Sequence, residues 1–130
     1  MKNLNFSIGI LSWKGYASLY TSLKSYQENG LNSLTQSKFI CLPEYNNEGI
    51  KICKNFGYKP ILFKKNIGIL NGFKNLALNM PEGPLLLLEN DLPLVANDKI
   101  THTLLKQSLE HLYKYKACLL YTSPSPRDGI

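Results

Sequence analysis

The feature of this 130-residue sequence with the most chemical content is an acidic pair that follows its most apolar run. Glu89 and Asp91 stand two residues apart, directly after four leucines, with only Asn90 between them. Carboxylates at the end of a buried strand can turn toward one hard cation, which completes its shell with phosphate and water. The pair therefore indicates a Mg²⁺ or Mn²⁺ site. A solvated turn is the alternative, because Asn90, Asp91 and Pro93 all favour turns.

Four short apolar segments predict the strands that would position such a site. Their apolar character is nearly continuous, as expected of strands that are covered on both faces. Pro60 places the third of them near an edge of the sheet, because proline cannot donate to a central ladder. The predicted strands are residues 5–11, 38–43, 59–63 and 84–88.

Helical patterns alternate with these strands. Apolar residues recur every three or four positions, and capping residues bound the patterns. Asn46, Asn47 and Gly57 frame the second helix, while Asn97 and Asp98 offer N-caps to the fourth. The apolar positions are Tyr16, Leu19, Tyr20, Leu23 and Tyr26 in the first helix, Ile50, Cys53 and Phe56 in the second, Ile69, Phe73, Leu76, Ala77 and Met80 in the third, and Leu105, Leu109 and Leu112 in the fourth.

This alternation predicts an α/β fold, with a mostly parallel sheet, helices on both faces and right-handed crossovers. In such sheets ligands bind beyond the carboxyl ends of the strands, where the winding reverses. The residues that follow the four strands are therefore the candidates for a site. They are Ser12 and Trp13, Glu44, Asn66, and the run from Glu89 to Asp91.

The spacing of these residues resembles that of the inverting family-two glycosyltransferases with the GT-A fold. In that family an Asn-x-Gly follows the third strand, and after one helix an apolar strand ends in Asp-x-Asp. Here Asn66-Ile67-Gly68 and PLLLLEND take those places, FSIGILSW is similar to the family's first strand, and the likeness covers most of residues 5–95. The resemblance implies a Rossmann-like N-terminal half of a GT-A domain, with strand order 3-2-1-4.

The resemblance also implies roles for individual residues. Asp91 would bind a divalent cation, Mn²⁺ or Mg²⁺, that bridges to the nucleotide diphosphate. Glu89 would contact the ribose or orient the metal through water. Ser12 and Trp13 would border the nucleotide, where a tryptophan could stack on the base; a core-flanking aromatic is the alternative for Trp13.

Asn66 and Gly68 would shape the loop beside the nucleotide, although Asn66 also fits a plain helix N-cap.

The chain departs from the family pattern in three places. Glu89 replaces the first Asp of Asp-x-Asp, Phe73-Lys74 stands where Arg-Asn is common, and LPE replaces Asp-Asp-Gly-Ser after the second strand. Glu44 would then take the place of the carboxylate that contacts the nucleobase, which leaves the identity of the base open.

By the same resemblance, the intact enzyme would transfer a sugar from a nucleoside diphosphate sugar to a saccharide or lipid-linked acceptor, in cell-surface polysaccharide biosynthesis. The family's catalytic base lies beyond the fourth strand, so no residue here takes that role and the chain is interpreted as an inactive fragment. Two alternatives stay open: a non-catalytic α/β module that binds a nucleotide or a protein partner, and a nucleotidyltransferase. The latter also uses paired carboxylates, but it would carry a Gly-rich basic signature after the first strand.

Composition narrows the function classes further. The net charge is +6, yet the lysines are spread along the chain, which favours a solubilising surface over nucleic-acid binding. The three cysteines form no CxxC pair, which fits a reducing cytoplasm. No apolar run approaches the roughly 20 residues of a membrane span, so no transmembrane segment is predicted. GxGxxG and P-loop motifs are absent.

The end of the chain has a different character. Residues 118–128, CLLYTSPSPRD, resemble over eleven consecutive residues the translation of a transposase adapter used in sequencing libraries. We therefore interpret residues 1–117 as a truncated nucleotide-sugar-binding domain and residues 118–130 as an artefactual tail. A disordered natural tail is the alternative.

Overall fold

The computed structural model describes residues 3–115, in which four strands alternate with four helices. The strands are β1 (Ser7–Leu11), β2 (Lys38–Pro43), β3 (Lys59–Phe63) and β4 (Leu85–Glu89). The helices are α1 (Tyr16–Glu28), α2 (Asn47–Phe56), α3 (Gly68–Asn79) and α4 (Asp98–Tyr115). The predicted boundary at residue 117 and the predicted tail, residues 118–130, lie outside the described residues.

The sheet confirms the predicted fold class and strand order. All three strand pairs are parallel, and the order is β3-β2-β1-β4. The last residue of β1, Leu11, is in register with Cys41 on one side and with Glu89 on the other. The chain moves outward from β1 to β3 and then returns past β1 to β4, so the winding reverses between β1 and β4. Their carboxyl ends therefore border the crevice where such sheets bind ligands.

Helices cover both faces of the sheet, but unequally. The face beneath α1 and α2 carries the larger core, which includes Ile8, Ile10, Leu19, Leu23 and Ile52. The opposite face carries α3 and a smaller buried cluster of Leu11, Cys41, Leu76 and Met80. β1 is buried along its whole length because it lies between two strands and two helix layers. This burial explains the continuous apolar character of its sequence.

Helix ends form where the sequence predicts them. Asn46 Oδ1 accepts a hydrogen bond from Gly49 N–H at 3.2 Å at the start of α2, and Gly57 ends that helix with φ at 74°. Asn97 Oδ1 accepts from Ile100 N–H at 2.9 Å at the start of α4. Both N-caps satisfy backbone donors that the first helical turn leaves unpaired.

One boundary differs in a way that affects the site. β4 begins and ends one residue later than predicted, so Glu89 is its last residue, and Asn90 and Asp91 form a turn. After this turn the chain runs along α1 before α4 begins at Asp98.

Among residues 3–115, no helix combines the length and the apolar character that a membrane crossing requires.

Candidate functional site

Side chains join the carboxyl ends of β1 and β2. Trp13 Nε1–H donates a hydrogen bond to Glu44 Oε1 at 3.1 Å, although the two residues are 31 positions apart. Lys14 Nζ lies 3.6 Å from Glu44 Oε2 and 5.5 Å from the centroid of the Trp13 ring. We call Trp13, Lys14 and Glu44 the tryptophan cluster. Its indole is held at one edge yet remains 51% exposed, so much of its surface is open to a planar ligand.

Backbone strain is concentrated in this cluster. Lys14 has φ at 54° and Glu44 has φ at 47°, and within residues 3–115 no other non-glycine residue has a positive φ. The left-handed conformation costs a residue with a Cβ about 1–2 kcal/mol. Strain of this kind is found preferentially at functional sites. The two strained residues are also the two partners of the ion pair, which makes the tryptophan cluster a candidate binding surface.

Ser12 stabilises the turn after β1 that carries Trp13 and Lys14. Its buried Oγ–H donates to the Lys14 carbonyl oxygen at 2.8 Å, and its N–H donates to the Cys41 carbonyl oxygen at 3.0 Å. Ser12 therefore holds the turn that presents Trp13. The predicted contact of Ser12 itself with a nucleotide stays a prediction.

Glu89 and Asp91 leave the sheet in different ways. Leu85 and Leu87 contact the α3 face, and strand alternation places Glu89 on that same face. Because the strand ends at Glu89, the alternation does not extend to Asp91. Asp91 lies near α1, because its neighbours Asn90 and Leu92 accept hydrogen bonds from Ser22 and Tyr26 of that helix. Extended backbone through Asp91 would place both carboxylates on one side of β4, but Asn90 and Asp91 form a turn, so that arrangement does not follow from the strand.

The turn after β4 is fixed to α1 by hydrogen bonds that the sequence did not predict. Ser22 Oγ–H donates to the Asn90 carbonyl oxygen at 2.8 Å, and Asn90 Nδ2–H donates to the Gly15 carbonyl oxygen at 3.2 Å. Three further hydrogen bonds follow along the helix: Tyr26 O–H to the Leu92 carbonyl, Leu94 N–H to Ser25 Oγ, and Asn29 Nδ2–H to the Leu94 carbonyl. We call these five hydrogen bonds the α1 clamp. They position the backbone that carries Asp91.

Asn66 and Gly68 lie at the start of α3. Asn66 Oδ1 accepts from Gly68 N–H at 2.9 Å, which is an Asx turn ahead of the helix. The N-cap position is Ile67, so the expectation that Asn66 caps α3 is wrong. Gly68 has φ at 79°, and a Cβ added there would meet no atom within 4 Å. The glycine therefore serves the backbone conformation. Within residues 3–115, neither residue contacts the tryptophan cluster or the Glu89–Asp91 turn through a hydrogen bond.

The carboxylates supply a limited donor set for a cation. Within residues 3–115, neither the Glu89 carboxylate nor the Asp91 carboxylate accepts a hydrogen bond or forms an ion pair, and no group of three or more His, Cys, Asp or Glu side chains gathers in one place. The Asp91 carboxylate alone fits Mg²⁺ or Mn²⁺, because these ions bind through one or two carboxylates and take their other ligands from phosphate and water. Glu89 lies on the α3 face and would reach such an ion only through water.

Two surface grooves lie away from these residues. One, of about 530 Å³, is lined by Leu4, Leu109 and Tyr113 among others. The second, of about 300 Å³, is lined by Phe6, Thr35 and their neighbours. Both lie beside the segment that precedes β1, at the amino ends of the strands, and neither contains a residue of the predicted site.

Comparison with known proteins gives no significant match to a family model, a curated protein or a solved structure.

Proposed function

We propose that this domain binds a nucleoside diphosphate sugar and supplies the donor site of a glycosyltransferase. One observation carries the proposal: the tryptophan cluster and the Glu89–Asp91 turn both lie at the carboxyl edge of a parallel sheet, beside the reversal of its winding. Doubly wound sheets hold their nucleotide ligands at that place.

The tryptophan cluster would contact the base and the ribose. The exposed indole of Trp13 offers a stacking surface for a planar ring. Glu44 keeps acceptor capacity, because its carboxylate has about four lone-pair sites and Trp13 uses one of them. A base with an N–H group at its edge would therefore suit the cluster.

Asp91 would hold a divalent cation, and Glu89 would support it through water or contact the ribose. Bound there, the cation would neutralise charge on the diphosphate leaving group. The α1 clamp fixes Asn90 and the backbone after Asp91, so the carboxylate would be positioned before the ligand arrives. The acceptor hydroxyl would displace the diphosphate and pass its proton to a carboxylate base. No residue of this chain is assigned as that base.

Isothermal titration calorimetry with UDP and with GDP, each with and without Mn²⁺, tests the proposal on the 130-residue chain. We expect Mn²⁺-dependent binding of one of the two nucleotides. Asp91→Ala should lower that affinity at least about tenfold by removing the cation ligand, and Glu89→Ala should lower it less. Glu110→Ala, an exposed carboxylate on α4 away from the strand ends, is the matched control and should bind like the wild type.

Two results would contradict the proposal. Wild-type chain that binds neither nucleotide in the presence of Mn²⁺ has no donor site. If instead Asp91→Ala binds as tightly as Glu110→Ala, the acidic pair is an ordinary solvated turn.

A further inference from the structure

The positive charge of the chain is concentrated in one segment. Residues 49–81 contain six lysines and no acidic residue, while the other 97 residues contain nine basic and nine acidic ones. The whole net charge of +6 therefore resides in about a quarter of the sequence. We call residues 49–81 the basic segment. Charge asymmetry of this degree indicates an anionic partner.

The basic segment surrounds the outer edge of the sheet and continues along α3. The segment consists of α2, β3 and α3, and β3 is the outer strand of the sheet. α2 contacts β3 on one face of the sheet, whereas α3 lies across β2 and β1 on the other face, so the segment covers the β3 edge and extends over the α3 face. Residues 82–115, which hold β4 and α4, contain five acidic residues and three lysines. The molecule is thus basic at the β3 edge and mildly acidic on the β4 side.

The lysines of the basic segment are available for an external partner. All six are exposed, and within residues 3–115 none of them forms an ion pair with a carboxylate. Lys59 Nζ lies 6.0 Å from the centroid of the Phe39 ring, and Lys64 and Lys65 follow β3 directly.

Apolar side chains stand among these lysines. Leu70, Lys74 and Leu78 follow one another at four-residue spacing on α3, opposite the buried side that contains Gly72 and Leu76. Leu70 is 82% exposed and Leu78 is 73% exposed. A helix that directs leucines and a lysine outward has the amphipathic composition of a surface that lies in a membrane interface.

We propose that the β3 edge, with the outward face of α3, docks on a bilayer that contains acidic phospholipids. The lysines would supply electrostatic attraction, and Leu70 and Leu78 would enter the boundary between head groups and acyl chains. The chemistry favours lipid over nucleic acid. Single-stranded nucleic acid stacks on exposed aromatic rings, whereas all aromatic residues of the basic segment are at least half-buried. A duplex would be contacted through the lysines alone and would leave Leu70 and Leu78 in water.

Vesicle co-sedimentation of the 130-residue chain tests this inference. We compare vesicles of pure phosphatidylcholine with vesicles that contain about one-quarter phosphatidylglycerol, at low salt. Binding is expected only to the anionic vesicles. Lys64→Glu/Lys65→Glu should weaken it at least about 25-fold, because each lysine near an anionic surface contributes about fivefold. Lys24→Glu/Lys106→Glu, the same charge change at exposed positions outside the basic segment, is the control and should weaken binding far less.

A second variant separates lipid from other anions. Leu70→Ser/Leu78→Ser keeps every charge and should weaken vesicle binding about tenfold by removing two apolar contacts. All the substituted residues are exposed, so the variants should retain the helical circular dichroism of the wild type.

The inference is overturned by any of three results. The first is a wild type that binds neutral and anionic vesicles equally. The second is a control variant, Lys24→Glu/Lys106→Glu, whose vesicle affinity falls as much as that of Lys64→Glu/Lys65→Glu. A DNA duplex that competes the chain off the vesicles, with the leucine variant binding as well as the wild type, would identify a nucleic-acid surface instead. Each of these results leaves the proposed nucleotide site untouched, because that site lies at the carboxyl ends of β1, β2 and β4.

Discussion

At the scale of single residues, Glu44 combines a strained backbone with a carboxylate that contacts two neighbouring side chains. Its φ of 47° suits glycine, while its two carboxylate oxygens contact Trp13 and Lys14. Glycine at this position would remove a strain of about 1–2 kcal/mol. It would also remove exposed contacts that are worth about 0–1 kcal/mol. The two effects on the free energy of unfolding nearly cancel. The loss of the Glu44 carboxylate as an acceptor for a ligand has nothing to offset it.

Glu44→Gly should therefore separate stability from binding. We expect its free energy of unfolding, measured by urea denaturation, to stay within about 1 kcal/mol of the wild-type value. Nucleotide affinity, measured by calorimetry, should fall about tenfold because the acceptor for the base is lost. Glu44→Gln is the control that keeps the strain and an acceptor for Trp13. A loss of about 3 kcal/mol in Glu44→Gly would mean that the tryptophan cluster is structural.

The sequence predicted the positions of site residues better than their contacts. Glu44, Glu89 and Asp91 were identified because each follows an apolar strand, and parallel strands end at one edge. The hydrogen bond between Trp13 and Glu44 was not predicted, since periodicity carries no information about side chains that meet across strands. The left-handed backbone at Lys14 was not predicted either, because the sequence there favours a positive φ only at the next residue, Gly15.

At the scale of elements, regular patterns predicted most of the structure. β2 and β3 have the predicted bounds, and Asn46 and Gly57 frame α2 as expected. These elements follow from local rules of burial and capping. The α1 clamp follows from none of them. Ser22, Ser25 and Asn29 look like solvated helix positions until the turn after β4 packs against them.

Ser22 offers a test of whether the α1 clamp positions the acidic turn. Its side chain is almost fully buried, and it satisfies the carbonyl oxygen of Asn90. Ser22→Ala should lower the free energy of unfolding by about 1–3 kcal/mol, because a buried acceptor loses its donor. Amide hydrogen exchange should accelerate around residues 90–94, and Mn²⁺-dependent nucleotide affinity should fall although Ser22 touches no ligand.

Ser18→Ala is the matched control, since Ser18 lies on the same helix and is exposed. It should leave both stability and exchange near the wild-type values. If Ser22→Ala accelerates exchange evenly over the whole chain, the clamp contributes only to global stability. Faster exchange confined to residues 90–94, together with weaker nucleotide binding, identifies Ser22 as a positioning residue for Asp91.

At the scale of the whole molecule, topology creates properties that no local pattern contains. Six lysines lie in the contiguous residues 49–81, and the order β3-β2-β1-β4 places that segment on the outer strand and on the helices of both faces. The strand order itself was an implication of the family resemblance, because alternating strands and helices fit several windings. The unequal cores arise in the same way, since α3 alone covers the face opposite α1 and α2.

Both cores contain a buried thiol, which makes the fold sensitive to alkaline pH. Burial raises the pKa of Cys41 from 9.0 to about 11 and that of Cys53 from 9.0 to about 12. Burial likewise raises the pKa of Tyr26 from 10.0 to about 12. Above pH 9 the unfolded chain releases protons that the folded chain retains, so stability falls as pH rises. Lys38 acts in the opposite direction, because burial lowers its pKa.

The free energy of unfolding should accordingly be constant up to about pH 8 and fall by a few kcal/mol by about pH 10.5. Urea denaturation under reducing conditions measures this decline. Cys41→Ala/Cys53→Ala should be less stable at neutral pH, because each core loses a buried sulfur, yet its stability should change much less between pH 9 and pH 10. Tyrosine contributes little in that interval, since its unfolded pKa is about 10. If the stability of the double variant falls with pH as steeply as that of the wild type, burial does not keep the two thiols protonated above pH 9.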